Sequence, residues 1–188
     1  MLPTTWLPCD ASWQSDLAAM ETWNAITSRR NVRSFADRPI SAEDLDQILE
    51  AARRAPSSRN TQPWDFVLVT DRAALEQLSK VWVGAGHVAG SAATIALIVD
   101  DDDETAKRVQ FDLGQATMNI MLAAADLGIG SGHSSVGEQD LARQLLRLPA
   151  GKSCAFLTSL GYPANRPLAP IKNPDRRPFD DVVHRGHW

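Results

Sequence analysis

Two short segments near the start of the chain carry side chains suited to holding a phosphorylated ligand. Residues 28–35 read Ser-Arg-Arg-Asn-Val-Arg-Ser-Phe, and residues 55–64 read Ala-Pro-Ser-Ser-Arg-Asn-Thr-Gln-Pro-Trp. A guanidinium group can grip a phosphate through two parallel hydrogen bonds. A proline-bounded turn rich in Ser, Asn and Gln offers backbone donors and side-chain amides, which suit the polar edge of a ring. Because one predicted helix joins the two segments, together they indicate a site for a phosphorylated ring cofactor.

The arginines of the first segment are spaced as on one face of a helix. Arg29 and Arg33 lie four positions apart, and we expect them at the end of a helix that the apolar spacing of residues 11–27 predicts. The same spacing is typical of a solvated basic helix end, which the helix dipole favours. Spacing alone therefore leaves both interpretations open.

Two glycine-rich segments have the composition of nucleotide-binding loops but stand in the wrong context. Residues 128–135 read Gly-Ile-Gly-Ser-Gly-His-Ser-Ser and follow a predicted helix, whereas a dinucleotide fingerprint follows a strand. Residues 84–90 read Gly-Ala-Gly-His-Val-Ala-Gly and leave no room for a helix before the next predicted strand. We therefore reject a dinucleotide fold. We expect a Gly/Ser loop over residues 128–137 and a mobile active-site loop over residues 84–90.

The two N-terminal segments, at this spacing, resemble the motifs of the FMN-dependent nitroreductase family. Members of that family carry Arg-Arg-Ser-x-Arg-x-Phe, then a helix, then Ala-Pro-Ser-x-x-Asn-x-Gln-Pro-Trp. The likeness covers the chain from about residue 21 to residue 188, and Asn31 stands where the family usually has Ser. It implies an α+β fold with a mixed, mostly antiparallel sheet flanked by helices on both faces. It also implies an intertwined homodimer with two sites at the interface.

The resemblance implies a role for each part of the site. Arg29 and Asn31 would hold the FMN phosphate, Arg33 would lie near the pyrimidine edge of the flavin, and one tail arginine would reach the phosphate. Backbone N–H groups of residues 131–134 would face the N5 and O4 side of the flavin. The turn at residues 56–60 would contribute partly from the opposite subunit. The implied cofactor-binding set is Arg29, Arg30, Asn31, Arg33, Pro56, Ser57, Ser58, Asn60, Ser131, Gly132, His133, Ser134, Arg176 and Arg177.

The function that the resemblance implies is FMN-dependent oxidoreduction. NAD(P)H would deliver a hydride to the flavin and leave, and an electron-poor acceptor such as a nitroaromatic or a quinone would then use the same flavin face. This ping-pong scheme needs no acidic or basic side chain and no metal, because the flavin carries the chemistry. A non-catalytic flavin-binding dimer remains an alternative. Another activity of the same fold, such as a dehydrogenase, a dehalogenase or a flavin-cleaving enzyme, also remains open.

The rest of the pattern predicts the elements that position these segments. Ser41 and Asp44 give a helix-start signal, and Pro56 ends that helix. Further helices are predicted over residues 71–80, over residues 104–127 and up to residue 148. Strands are predicted over residues 64–69, where the strand should be buried, and over residues 94–99 and 153–160.

The chain is expected to divide into an N-terminal extension (residues 1–19), a core domain (residues 20–163) and a C-terminal arm (residues 164–188). The prolines of the arm exclude a helix or a central strand over most of its length. Residues 181–184 nevertheless read as a short strand. The resemblance implies that this arm wraps the partner subunit.

Composition is that of an ordinary globular protein. The chain has 188 residues, of which 44% are hydrophobic and 22% charged, which suits one domain with a core of its own. The net charge of −4 gives no general attraction to nucleic acid or to an anionic membrane. No apolar run reaches membrane-spanning length and no signal peptide is recognisable, so we expect a cytoplasmic protein. Cys9 and Cys154 are expected to be free thiols, and the acidic run at residues 100–104 a solvated turn rather than a cation site.

Overall fold

The computed structural model describes residues 21–101 and 106–188, and within them helices and strands combine in an α+β fold. The helices are α1 (Thr22–Ser28), α2 (Ala42–Arg53), α3 (Arg72–Leu78), α4 (Ala106–Asp126) and α5 (Gln139–Leu146). The strands are β1 (Asp65–Val69), β2 (Ala93–Asp100), β3 (Gly130–Ser135) and β4 (Lys152–Gly161). Short 3-10 turns occur at Ser58–Asn60, Gly86–Gly90 and Phe179–Asp181. The predicted extension, residues 1–19, lies outside the described residues.

The strands form one sheet in the order β1-β2-β4-β3, with antiparallel neighbours throughout. β2 lies inside this sheet, and its residues from Ala93 to Ile98 are buried. A strand that is apolar on both sides must be covered on both faces of its sheet.

Helices cover the two faces of the sheet, as the sequence predicted. Ile95 and Leu97 belong to one hydrophobic cluster, while Ala96 and Ile98 belong to another. Because successive side chains of a strand point to opposite faces, the two clusters lie on opposite sides of the sheet. Helices α2 and α4 complete the first cluster, chiefly through Leu45, Ile48, Leu113, Ile120 and Ala124. Helices α3 and α5 complete the second, chiefly through Leu75, Leu78 and Ala142.

Helices α2 and α3 begin at side-chain caps. The Ser41 hydroxyl oxygen accepts a hydrogen bond from the Asp44 backbone N–H at 3.1 Å at the start of α2. Asp71 accepts one from the Ala74 backbone N–H at 2.8 Å at the start of α3. Each cap satisfies a donor that has no partner inside the helix. The predicted helix start at Ser41 is therefore confirmed.

The prediction of a Gly/Ser loop over residues 128–137 is wrong, because residues 130–135 form strand β3. This strand pairs with β4 from Gly130↔Gly161 to Ser135↔Phe156. Its glycines reflect close packing rather than a flexible loop. A Cβ atom on Gly130 would lie 2.7 Å from a Val32 methyl carbon, and one on Gly132 would lie 2.4 Å from the Val32 carbonyl oxygen.

The placement of Arg29 and Arg33 on one helix face is also wrong. Helix α1 ends at Ser28, and Arg29 has extended backbone dihedrals of φ −60° and ψ 129°. Residues 29–33, here called the basic strip, run alongside β3, where a parallel β-bridge joins Asn31 to Ser131. In an extended chain the side chains alternate, so Arg29, Asn31 and Arg33 lie on one side of the strip and Arg30 on the other.

Other parts of the chain are more compact, or less regular, than predicted. Residues 84–90 form no open loop: they include the 3-10 turn Gly86–Gly90, in which His87 and Val88 are buried. Strand β1 lies at the sheet edge and is only partly buried. The strand predicted over residues 181–184 is absent, since the described tail contains only the 3-10 turn Phe179–Asp181.

The close approach of Gly132 to Val32 predicts that Gly132→Ala destabilises the protein. The added Cβ would meet a backbone carbonyl oxygen at 2.4 Å, and backbone cannot move aside as a side chain can. Overpacking of this kind costs about 1–3 kcal/mol of unfolding free energy, which urea denaturation measures. The matched control is Gly90→Ala, whose Cβ would meet nothing within 4 Å. Equal stability of the two variants would contradict the packing described.

Candidate functional site

The basic strip and strand β3 meet along their backbones. The Val32 backbone N–H donates a hydrogen bond to the Ser131 carbonyl oxygen at 2.8 Å, and the Val32 side chain is buried beside it. The bare Cα of Gly132 lets the Val32 carbonyl approach. We call this contact the seam. It brings Arg29, Asn31 and Arg33 next to residues 131–134, which the sequence assigned to the same site.

The edge of β3 continues beyond the seam. In an antiparallel strand the N–H and C=O of one residue point to the same side, and alternate residues face alternate neighbours. Since the Ser131 carbonyl faces the strip, His133 and Ser135 direct their backbone N–H groups to that same edge, while the Ser135 carbonyl oxygen accepts the Ser134 hydroxyl at 2.9 Å. By the same alternation Ser134 directs its backbone groups to β4, and the Ser131 carbonyl already accepts from Val32. Ser131 and Ser134 are only 2% and 5% exposed, so their hydroxyl groups do not face a ligand. Ser135 was not among the residues assigned from the sequence, because no strand was predicted there.

Two cations at the seam are unpaired. Within residues 21–101 and 106–188, the guanidinium groups of Arg29 and Arg33 have no hydrogen-bond or ion-pair partner. Both lie on the side of the strip that carries Asn31, whose side chain is exposed. Unpaired guanidinium groups of this kind are available to bind an anion bidentately.

Arg30, which the sequence also assigned to the site, makes a hydrogen bond to the tail. Its Nη2 atom donates a hydrogen bond to the backbone carbonyl oxygen of Arg166 at 2.7 Å. The physical reason is the alternation of the extended strip, which turns Arg30 away from Arg29 and Arg33 and toward the tail.

The turn that follows α2 is held by a buried carboxylate. Asp112 of α4 is 1% exposed, and its two carboxylate oxygens accept the Ser58 backbone N–H at 3.2 Å and 3.1 Å. The Gln115 amide donates to the Pro56 carbonyl oxygen at 3.3 Å. Sequence reasoning missed Asp112 because nothing in the helical pattern distinguishes a buried acid from a solvated one.

The same turn carries backbone strain. Arg59, Asn60 and Gln62 have φ values of 54°, 56° and 50°, in the left-handed region that residues other than glycine rarely adopt. The Ser57 hydroxyl oxygen accepts the Gln62 backbone N–H at 2.9 Å and helps to hold this shape. Strained backbone persists where surrounding contacts fix it, and it concentrates at ligand sites.

The sequence-assigned residues fall into separate groups within one chain. Residues 56–58 line a groove of about 520 Å³ along α4. Its other lining residues are Arg108, Phe111, Asp112 and Gln115. None of the basic strip lines this groove. Arg176 and Arg177 lie in the exposed tail and bond to the nearby carbonyl oxygens of Asp175 and Asp181 at 2.6 Å and 2.9 Å.

His87 lies beneath the seam, a position that the sequence did not reveal. The side chain is 9% exposed, and its Nδ1 atom lies 3.0 Å from the Ser159 hydroxyl oxygen. Its Nε2 atom is buried and has no hydrogen-bond partner among the described residues. Burial lowers the pKa of His87 from its ordinary value of 6.5, and the charge of Arg33 lowers the pKa further, while the backbone of His133 acts in the opposite direction.

Other chemistry is not supported by the described residues. No group of three or more His, Cys, Asp and Glu side chains among them could hold a metal ion. Burial raises the pKa of the Cys154 thiol to about 12, so this cysteine is not a reactive thiolate at neutral pH. No helix in the described part of the chain is long and apolar enough to cross a membrane.

Comparison with known sequences gives one family. The sequence model of the nitroreductase family matches residues 26–87 and 80–162. A protein of Archaeoglobus fulgidus, provisionally named NADH dehydrogenase/NAD(P)H nitroreductase, is 36% identical over 177 residues, which are 89% of this chain and 99% of that protein. The FMN reductase [NAD(P)H] of Bacillus subtilis is 30% identical over 188 residues, covering 88% of this chain and 73% of its own length.

Comparison with solved structures gives the same fold. An FMN-dependent nitroreductase of Clostridium difficile superposes with a TM-score of 0.75 at 26% identity, covering 87% of this chain and 98% of its own. The NADPH:FMN oxidoreductase of Vibrio harveyi, solved in complex with NAD+, has a TM-score of 0.75 at 26% identity and covers 87% of this chain and 76% of its own. The expected fold class is therefore confirmed.

The lowered pKa of His87 predicts a pH-dependent contribution to stability. Below pH 6.5 the unfolded chain takes up a proton at this residue before the folded chain does. Acidification from pH 6.5 down to the lowered folded pKa therefore destabilises the wild type. The His87→Gln variant has no imidazole at this position and does not lose stability in this way. Urea denaturation at pH 7.5, 6.5 and 5.5 should give a stability difference between wild type and variant that shrinks as the pH falls. A difference independent of pH would show that His87 titrates equally in both states.

Proposed function

The chain belongs to the nitroreductase family, and on that premise we propose that it is an FMN-dependent oxidoreductase. It would pass reducing equivalents from NAD(P)H to an electron-poor acceptor such as a nitroaromatic or a quinone. The observation that carries the proposal is the seam, where two unpaired guanidinium groups stand beside the open backbone edge of β3. The names of the relatives, which include FMN reductase and FMN-dependent nitroreductase, support the choice of cofactor.

The residues at the seam fit the chemistry of FMN. A phosphate dianion needs cationic donors that no internal carboxylate has already occupied, and Arg29 is such a donor. The polar edge of a flavin needs backbone donors that side chains do not obstruct, and the N–H groups of His133 and Ser135 on the β3 edge would offer them. We assign the phosphate to Arg29 and Asn31, and the pyrimidine edge to Arg33.

The protein would supply position and charge rather than acid–base chemistry. When bound, FMN would accept a hydride from NAD(P)H and return electrons to the acceptor. Arg33 would stabilise negative charge at the polar edge of the ring. His87, held neutral by burial, adds no second charge beside Arg33. The buried core beneath the seam would exclude water from one face of the ligand.

We propose a homodimer, because the groups of site residues are not joined within one chain. The turn at residues 56–60 would complete the seam of a second copy, as an interface with twofold symmetry allows. A surface suited to that contact is exposed on α1 and α4, which pack together. Its large apolar residues are Trp23, Ile26, Phe111 and Met118, exposed by 71%, 46%, 71% and 42%. Beyond the core domain, residues 164–188 would lie on the partner, with Arg176 or Arg177 at the phosphate.

Anaerobic spectroscopy tests the proposed function directly. The purified protein should be yellow or become yellow with added FMN, and NADH or NADPH should bleach it in the absence of oxygen. Initial rates with a nitroaromatic or quinone acceptor should give parallel double-reciprocal lines, since donor and acceptor would use one site in turn. Intersecting lines would contradict a shared site. A yellow protein that neither nucleotide reduces would favour a non-catalytic flavin-binding dimer.

Arg29→Glu should weaken FMN binding while leaving the fold intact. A charged hydrogen bond is worth about 1.5–3 kcal/mol, which corresponds to roughly a 10- to 100-fold loss of affinity before repulsion is added. Fluorescence titration of FMN measures the change. Lys80→Glu is the matched control, because it also replaces a cation by an anion, in the turn after α3, on the other side of the sheet. Equal FMN affinity in the two variants would refute the assignment of Arg29.

A further inference from the structure

The first part of the tail lies along the basic strip and the residues next to it. The Ala164 backbone N–H donates to the Ser34 carbonyl oxygen at 3.1 Å, and the Ile171 backbone N–H donates to the Thr27 carbonyl oxygen at 3.0 Å. Since the later tail residue bonds to the earlier residue of the other segment, residues 164–171 run antiparallel to it.

Between these two contacts lies a third, made by Arg30. Its Nη2 atom donates to the Arg166 carbonyl oxygen at 2.7 Å, the shortest of the three hydrogen bonds. Its donor is a charged guanidinium group, whereas the other two donors are backbone N–H groups. Charged donors form the stronger hydrogen bonds. A substitution can therefore remove this contact while leaving the backbone contacts in place.

The basic strip thus contacts two different elements. Val32 joins it to β3 at the seam, and Arg30 joins it to the tail. Arg29 and Arg33 remain free of both contacts. Anything that orders the strip through those two arginines also orders the surface on which the tail lies.

We propose that Arg30 is a positioning residue that fastens the tail to the basic strip and couples tail order to ligand binding at the seam. The fastening follows from the contacts above, whereas the ligand half of the coupling rests on the proposed function. A group that orders the strip lowers the entropic cost of ordering the tail upon it. The coupling is reciprocal, so a fastened tail also raises the affinity of the strip for its ligand.

The fastening also determines where the rest of the tail begins. Beyond Ile171 the tail carries Arg176, Arg177 and the exposed apolar residues Phe179 and Trp188. Their reach is limited by the position of the last fixed residue. Arg30 would therefore position groups that it does not touch.

Hydrogen–deuterium exchange of the full-length protein, with and without FMN, tests the proposal. Peptides covering residues 164–171 should exchange roughly 3- to 10-fold faster in Arg30→Gln than in wild type, which is the loss of one net hydrogen bond. Arg29→Gln is the matched control, because it makes the same substitution on the other side of the strip. Without FMN it should exchange like wild type in this segment. Arg30→Lys, which keeps a charged donor, should restore part of the protection.

Added FMN separates the two halves of the proposal. FMN should slow exchange of residues 164–171 in wild type, slow it less in Arg30→Gln, and leave it unchanged in Arg29→Gln at the same concentration. Arg30→Gln should also bind FMN several-fold more weakly than wild type.

Particular outcomes would overturn the proposal. Unchanged exchange of residues 164–171 in Arg30→Gln would overturn the fastening, and equally faster exchange in strand β2 would show a general loss of stability instead. Wild-type protein that binds FMN with no change in this segment would overturn the coupling. Wild-type protein that binds no FMN would contradict the proposed function, while the comparison without FMN would still test the fastening.

Discussion

The hydrogen bond from the Val32 backbone N–H to the Ser131 carbonyl oxygen fixes the geometry of the seam. It sets the register between the basic strip and β3, and therefore which arginines face the open strand edge. Gly132 is required for this contact, because any Cβ at that position would collide with the Val32 carbonyl. A shift of one residue would turn Arg30 toward the strand edge and Arg29 and Arg33 away from it. The charge pattern at the site thus depends on one backbone contact and one missing methyl group.

The core keeps β3 in the place where this contact can form. β2 is apolar on both faces, and β4 pairs with β2 on one side and with β3 on the other. Helices pack against both faces of these strands, and β3 at the sheet edge is positioned by its pairing with β4. Beneath it, a buried polar network of Ser159, Thr94 and Ser91 continues from the His87 ring. The buried core of the molecule therefore extends to the surface where a ligand would be held.

The parts of the structure that local pattern controls could be predicted from the sequence. The start of α2 at Ser41, the strands at the centre of the sheet and the two motifs of the site all have local causes, namely capping, apolar runs and motif spacing. The family and the fold class followed from those motifs and are confirmed. By contrast, the spacing of Arg29 and Arg33 suggested a helix face, although pairing with a strand about a hundred residues away holds them extended.

Long-range contacts also account for the features that the sequence did not reveal. The glycines of β3 indicate a loop when they are considered alone, and they indicate close packing only when the strip is known to lie beside them. His87 and Asp112 differ from other histidines and acids in being buried. The local sequence, a single histidine in a turn or a single acid in a helix, does not indicate that burial. Arg30 looks like Arg29 and Arg33 in the sequence. It differs from them in the structure because its side chain donates a hydrogen bond to the tail.

The central claim is that the seam of one copy and the 56–60 turn of another together hold FMN. A crystal structure of the full chain grown with FMN tests this claim most directly. The account predicts a phosphate at Arg29, a flavin edge along the backbone of residues 131–135, and residues 56–60 of a second copy against the same ligand. FMN bound away from the seam, with the guanidinium groups of Arg29 and Arg33 unoccupied, would contradict it, as would a site completed within a single copy.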